Sequence, residues 1–128
     1  MLQQWRFNIN PIAASRPRVT RVGHTYYAGP YKKFREDMIL LKEEQLSGLE
    51  PSAALLSVEI ECYVTRPKTT KLLSPRADVD NYAKSILDQF NDWLWEDDKQ
   101  IVHLIISKAW CEEEQNEGYF TISTEEIE

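Results

Sequence analysis

The chain reads as an α+β fold, a single domain over residues 1–128 in which a mixed β-sheet packs against two principal helices. Three observations predict it. Residues 55–65, LLSVEIECYVT, alternate so that Leu56, Val58, Ile60, Cys62 and Val64 share one face and Glu59, Glu61 and Tyr63 the other, as a half-buried strand requires. Residues 79–90 set Val79, Ala83, Ile86, Leu87 and Phe90 on one face at about 100° per residue, the stripe of a helix lying on a core. No repeat, linker or low-complexity tract divides the 128 residues, a length that removes roughly two thirds of the unfolded surface from water in one core.

The remaining elements follow in order. Gln4 to Asn8 alternates, with Trp5, Phe7 and Ile9 on one side of a first strand that Pro11 ends. Residues 13–30 are rich in turn formers and basic groups, and Val19–Thr20 and Thr25–Tyr27 offer two short strands about Val22, Gly23 and His24, a basic hairpin. His24 reads as a surface residue, and Tyr26 and Tyr27 as packing aromatics. Pro30 suits the first turn of a helix that runs to Leu46, directs Phe34, Met38, Leu41 and Leu46 inward and closes at Gly48. Pro67 to Pro75 is polar and bracketed by prolines, an exposed loop. Trp93, Leu94 and Trp95 form an apolar plug, and Ile101 to Trp110, apolar on both faces, predicts a strand in the middle of the sheet, with His103 a satisfied strand histidine. After an acidic turn at Cys111 to Glu117, Gly118 to Ser123 is the last strand and TEEIE a frayed end.

Composition narrows the function classes. With 42% hydrophobic and 28% charged residues the chain is globular rather than disordered. No segment has the uninterrupted apolar length of a membrane span, and LQQWRFNIN after Met1 lacks the charged end and hydrophobic run of an export signal, so a cytoplasmic protein is expected. Cys62 and Cys111 make no CxxC, which leaves a zinc site without support and both cysteines as reduced packing residues.

The net charge of -6 argues against a uniformly basic nucleic-acid binder, but the charges are segregated. Residues 1–35 carry seven basic residues and no acidic one, residues 66–76 carry four and none, and residues 101–128 hold Lys108 against seven glutamates. Phosphate contacts depend on local potential within a Debye length, about 10 Å at 0.1 M salt, so Arg16, Arg18, Arg21, Lys68, Lys71 and Arg76 are candidate DNA contacts in spite of the acidic end. Ordinary solvated loops are the alternative reading of both segments.

The chemistry is concentrated in residues 76–100, RADVDNYAKSILDQFNDWLWEDDKQ. Asp78 and Asp80 stand one residue apart just before a helix, and Asp97 and Asp98 follow beyond it. Crowded carboxylates raise one another's pKa unless a cation lies among them, and hard oxygen ligands select magnesium or manganese. Asp80, Lys84 and Asp88 recur every four residues along a stripe bordering the apolar face, where half-buried side chains are expected. Asp80 and Lys84 alone are also explained by an acidic helix start that suits the dipole and an i,i+4 ion pair, whereas Asp78 and the second acidic pair are not.

The string DVDNYAKSILD, followed by LWEDDKQIV, resembles the RusA family of Holliday junction resolvases, whose pattern runs D-x-D-N-x-x-K-x-x-x-D and then D-D-x-Q. The likeness covers Asp78 to Val102 and is looser upstream, where it rests on an RPR segment, an aromatic turn and a helix. By matched position it implies Asp78, Asp80, Lys84 and Asp98 as catalytic residues, with the three aspartates as ligands of Mg2+ and Mn2+ as a substitute. Asp88 and Asp97 are left as structural or supporting groups. The resemblance further implies a homodimer that nicks a four-way junction symmetrically, in a bacterial or prophage setting. A nuclease for forks or flaps, and a non-catalytic junction-binding or phage regulatory protein, are the alternatives.

Overall fold

The computed structural model describes residues 2–15, 18–26 and 29–127, without the side chains of residues 18, 25 and 26. In chain order the elements are β1 (Leu2–Phe7), β2 (Arg18–Val19), β3 (Thr25–Tyr26), α1 (Gly29–Leu46), β4 (Leu56–Val64), α2 (Val79–Leu87), a 3-10 turn (Asp98–Gln100), β5 (Ile101–Trp110) and β6 (Tyr119–Glu126). Four strands form a mixed sheet in the order β1-β6-β4-β5, and β2 and β3 pair as a separate hairpin. β6 runs antiparallel to both β1 and β4, whereas β4 and β5 are parallel, with α2 in the crossover that a parallel pair needs. This is the α+β domain with two helices that the periodicity predicts.

Burial alternates along β4 as its sequence does, with Leu56, Val58, Ile60, Cys62 and Val64 all buried. Against that face pack Phe34 and Met38 of α1, Tyr82 and Ile86 of α2, and Phe7 and Phe120 from the flanking strands. Burying each such side chain contributes roughly 1.5–3 kcal/mol. The plug is real: Trp95 and Phe90 are fully buried, their rings 6.0 Å apart edge to face, and Phe90 stands 5.3 Å from Phe7. The opposite sheet face keeps Glu59, Glu61, Tyr63 and Thr121 partly in solvent. Gly48 ends α1 with φ of +84°, a conformation that suits a residue without Cβ.

Four expectations change. β5 lies at the edge of the sheet, not its middle, and its apolar groups on both faces are therefore partly solvent-exposed. Of the end expected to fray, Thr124 to Glu126 lie in β6, where Glu126 pairs with Leu56, and Glu128 falls outside the described residues. Val79, the first residue of α2, is 39% exposed rather than part of the core face, and β1 stops at Phe7, before Pro11. The basic N-terminal segment also finds acid partners: Arg6 pairs across the fold with Glu113 at 3.1 Å, and Lys33 pairs one turn along α1 with Asp37 at 3.0 Å.

Candidate active site

β4 ends at Val64, and a loop carries the chain to Asp78, the N-cap of α2. Asp78 has extended dihedrals, φ -69° and ψ 148°, and its carboxylate makes no capping hydrogen bond, so it is not spent on its own helix. Asp80 lies exposed in the first turn. One turn on, Lys84 is 3.3 Å from Asp88, which caps the other end of α2. Asp80, Lys84 and Asp88 are exposed rather than half-buried as expected.

Two devices without a sequence signal aim this helix. Lys108 on β5 donates to the carbonyls of Pro75 and Ala77, at 2.8 and 2.7 Å, and Trp110 donates its indole N–H to Leu72 at 3.0 Å. β5 thereby clasps the loop that delivers Asp78. At the far end of α2, buried Lys42 of α1 donates to the Gln89 carbonyl at 2.7 Å. Neither lysine stands out in the sequence, because each partner is a backbone carbonyl distant in the chain.

The second acidic pair divides its labour. Asp97 caps the 3-10 turn, accepting from the Lys99 amide at 2.9 Å, and that bond holds its carboxyl below the usual carboxylate range. Gln100 accepts from the Asp97 amide and donates to the carbonyls of Ser52 and Ala54. Asp98 is left facing α2, half-buried. Its carboxyl is held above the usual range, first by burial, then by the hydrogen bond with Asp97 and the charges of Asp97 and Asp88, while Lys84 pulls the other way.

The structure thus brings Asp98 beside Lys84 and Asp88, but leaves Asp78 at the opposite end of α2. Among the described residues no three His, Cys, Asp or Glu side chains are gathered closely enough to hold a metal ion. Carboxylate oxygens are the right donors for magnesium or manganese, yet the arrangement of Asp78, Asp80 and Asp98 within one chain does not fit a single ion bound by all three. Arg21, Lys68, Lys71 and Arg76 are exposed, Arg18 lies in β2, and Arg16 and Tyr27 fall outside the described residues. The Ala14 amide donates to the Asn81 carbonyl at 2.9 Å, so the chain departs for the basic hairpin from the first turn of α2. His103 bonds Ser57 at 2.9 Å, as a satisfied strand histidine.

An acidic helix start on a βαβ crossover, bordered by basic loops, suits a domain that handles phosphodiesters, and comparison with known families supplies the class. The family described as Endodeoxyribonuclease RusA matches residues 8–117. The chain belongs to the RusA endodeoxyribonuclease family. It is also similar to Uncharacterized protein YqaN of Bacillus subtilis (strain 168), 30% identical over 119 residues that cover 80% of this chain and 84% of that protein. Among the described residues no helix is long and apolar enough to cross a membrane.

Proposed function

We propose that the protein is a magnesium-dependent endodeoxyribonuclease, with manganese as a substitute ion, that resolves four-way DNA junctions by paired symmetric nicks as a cytoplasmic homodimer. The observation that carries this reading is the family match over residues 8–117, which includes both acidic segments. Asp78, Asp80, Lys84 and Asp98 are the working groups. Lys84, on a side chain that is 67% exposed and pairs with Asp88, stands one turn beyond Asp80, where its ammonium can neutralise charge that develops on a phosphate or orient the attacking water. Arg16, Arg18, Arg21, Lys68, Lys71 and Arg76 supply the positive potential that draws the backbone in. Arg76 is two residues from Asp78 in the clasped loop, so a phosphate that it holds lies near the acidic helix start.

A second reading, a junction-binding protein without hydrolysis, is favoured by the separation of Asp78 from Asp98 in one chain. Strand cleavage of a four-way junction, a fork and a linear duplex, each with magnesium or chelator, separates the two. The expected outcome is symmetric nicking of the junction that needs magnesium and is lost in Asp80→Asn while binding persists. Nicking of forks in preference to junctions keeps the chemistry and moves the substrate. Junction binding with no metal-dependent nicking in the unaltered chain removes the enzyme reading.

A further inference from the structure

Both helices pack on the face of the sheet where Leu56, Val58, Ile60 and Cys62 are buried, and the opposite face meets solvent. On that open face the strand register sets Glu59 beside Ser123, Glu61 beside Thr121, and Tyr63 beside Tyr119, with Arg6 next to Thr121. The Tyr63 hydroxyl donates to Glu61 at 2.8 Å. That bond, followed by burial and the charges around it, pushes the Tyr63 phenol up to about 12, so the face disfavours an added anion.

One cation already sits there. The Arg6 guanidinium lies over the Tyr119 ring, 3.7 Å from its centroid, and pairs with the Glu113 carboxylate at 3.1 Å. Tyr119 in turn stacks on Tyr63, with centroids 4.6 Å apart and planes at 22°. A planar guanidinium suits such a setting, because it stacks on the ring while its edge bonds the carboxylate.

A groove of about 520 Å³ adjoins this arrangement and is walled by Tyr63, Trp110, Leu73 and Glu112 as well as by Tyr119 and Glu113. Trp110 and Glu112 offer a second aromatic ring with a carboxylate nearby, and among the described residues Glu112 makes no ion pair. Arg66 is the one base in the described lining, and the Asn116 side chain ties its backbone N–H and carbonyl, each at 2.9 Å. Leu73, 97% exposed, adds an apolar wall.

We propose that this groove docks a positively charged segment of a partner protein, seating an arginine against Trp110 and Glu112 as Arg6 sits against Tyr119 and Glu113. DNA is a poor occupant, since Glu59, Glu61, Glu112 and Glu113 together repel phosphates. A segment bound here bears on the loop that leads to Asp78, because Leu73 belongs to that loop and Trp110 donates to the Leu72 carbonyl at 3.0 Å. The docking goes beyond the nuclease reading and does not depend on it.

The probe is a fluorescein-labelled peptide of alternating arginine and glycine, compared with one of alternating lysine and glycine, each titrated into the full chain at physiological salt without metal or DNA. Fluorescence anisotropy is expected to show tighter binding of the arginine peptide, weakened at least about 10-fold by Glu112→Arg. Glu44→Arg, the same change of charge at an exposed position of α1, should leave binding as it was. Nuclear magnetic resonance of the complex gives a signature that general charge attraction does not move: arginine δ-methylene protons shift upfield over an aromatic ring, together with the Trp110 indole N–H signal. Absence of binding overturns the proposal. So does equal weakening by Glu112→Arg and Glu44→Arg, or equal binding of the two peptides without an upfield shift, since either reduces the effect to net charge. A Trp110 signal that moves with a four-way junction instead makes the groove a DNA surface, and one that moves with protein concentration alone assigns it to a second copy. Both results overturn the partner reading. No cleavage is measured, so a failure of the nuclease reading leaves these outcomes as they stand.

Discussion

Asp97 and Gln100 lock one another: the Asp97 amide donates to the Gln100 side-chain oxygen at 2.8 Å, and the Asp97 carboxylate caps the turn that Gln100 completes. Gln100 then spends its side-chain N–H groups on Ser52 and Ala54, at 2.7 and 2.8 Å, which moors the turn just ahead of β4. In the run D-D-K-Q, the first aspartate and the glutamine are thus architecture, and Asp98 is what they present. The doublet is not a pair of equivalent acids.

Substitution separates the two roles. Asp97→Asn retains a good capping oxygen and is expected to keep both stability and junction nicking near wild type. Asp97→Ala loses the cap and lowers the melting temperature by a few degrees. Asp98→Asn leaves melting unchanged or slightly raised, because it removes a carboxylate crowded by Asp97 and Asp88, and it abolishes nicking. Thermal melting and a junction-cleavage assay on the three variants check this, and an inactive but stable Asp97→Asn would contradict it.

Lys108 is expected to act as a positioning residue. Among the described residues its ammonium makes no ion pair and is given to two carbonyls of the loop ahead of Asp78. Lys108→Met should therefore speed amide hydrogen exchange over residues 76–80 and lower the nicking rate about 10- to 100-fold, the scale of losing a group that orients a working residue. Junction affinity and its salt dependence should stay as they were, and Lys108→Arg should recover part of the rate. A fall in affinity with a shallower salt slope would make Lys108 a phosphate ligand instead.

The exposed basic loop behaves differently. Among the described residues Lys68, Lys71 and Arg76 make no ion pair, and all three are exposed, so each is available to a phosphate. Replacing Lys71 or Arg76 by Ala is expected to weaken junction binding and to reduce the slope of log K against log salt by about 1 per basic side chain removed from a phosphate. Lys33→Ala on α1, whose partner is Asp37, should leave that slope unchanged. Binding measured between low and moderate salt distinguishes them.

Lys42 supplies a pH test of the α1–α2 junction. Burial, and then the nearby charge of Arg35, hold its pKa below lysine's ordinary value. Between that lowered value and about 10.4 the unfolded chain binds more protons at this site than the folded one, so folding is favoured as pH rises. The stability of the wild type relative to Lys42→Met should therefore increase from neutral pH toward about pH 10, and then level off. Urea midpoints of both proteins across that range give the sign, and a constant difference would show that the buried ammonium carries no net penalty.

What the sequence by itself determined was local. Period-two alternation in residues 55–65 and the helical stripe through Ala83, Ile86 and Phe90 specify their elements, because burial on one face imposes a repeat on neighbouring residues. The D-x-D and D-D segments were legible for the same reason, as residue types close together in the chain. Tertiary structure alone decided that β5 is an edge. Apolar residues on both faces of a strand can mean a buried centre or an exposed side awaiting a partner, and only pairing distinguishes them. It also decided that Lys108 and Lys42 serve backbone carbonyls, that Asp97 is a cap, and that Asp78 and Asp98 lie at opposite ends of α2. Distances between segments far apart in sequence are set by how sheet and helix stack, and no local pattern of residues encodes them.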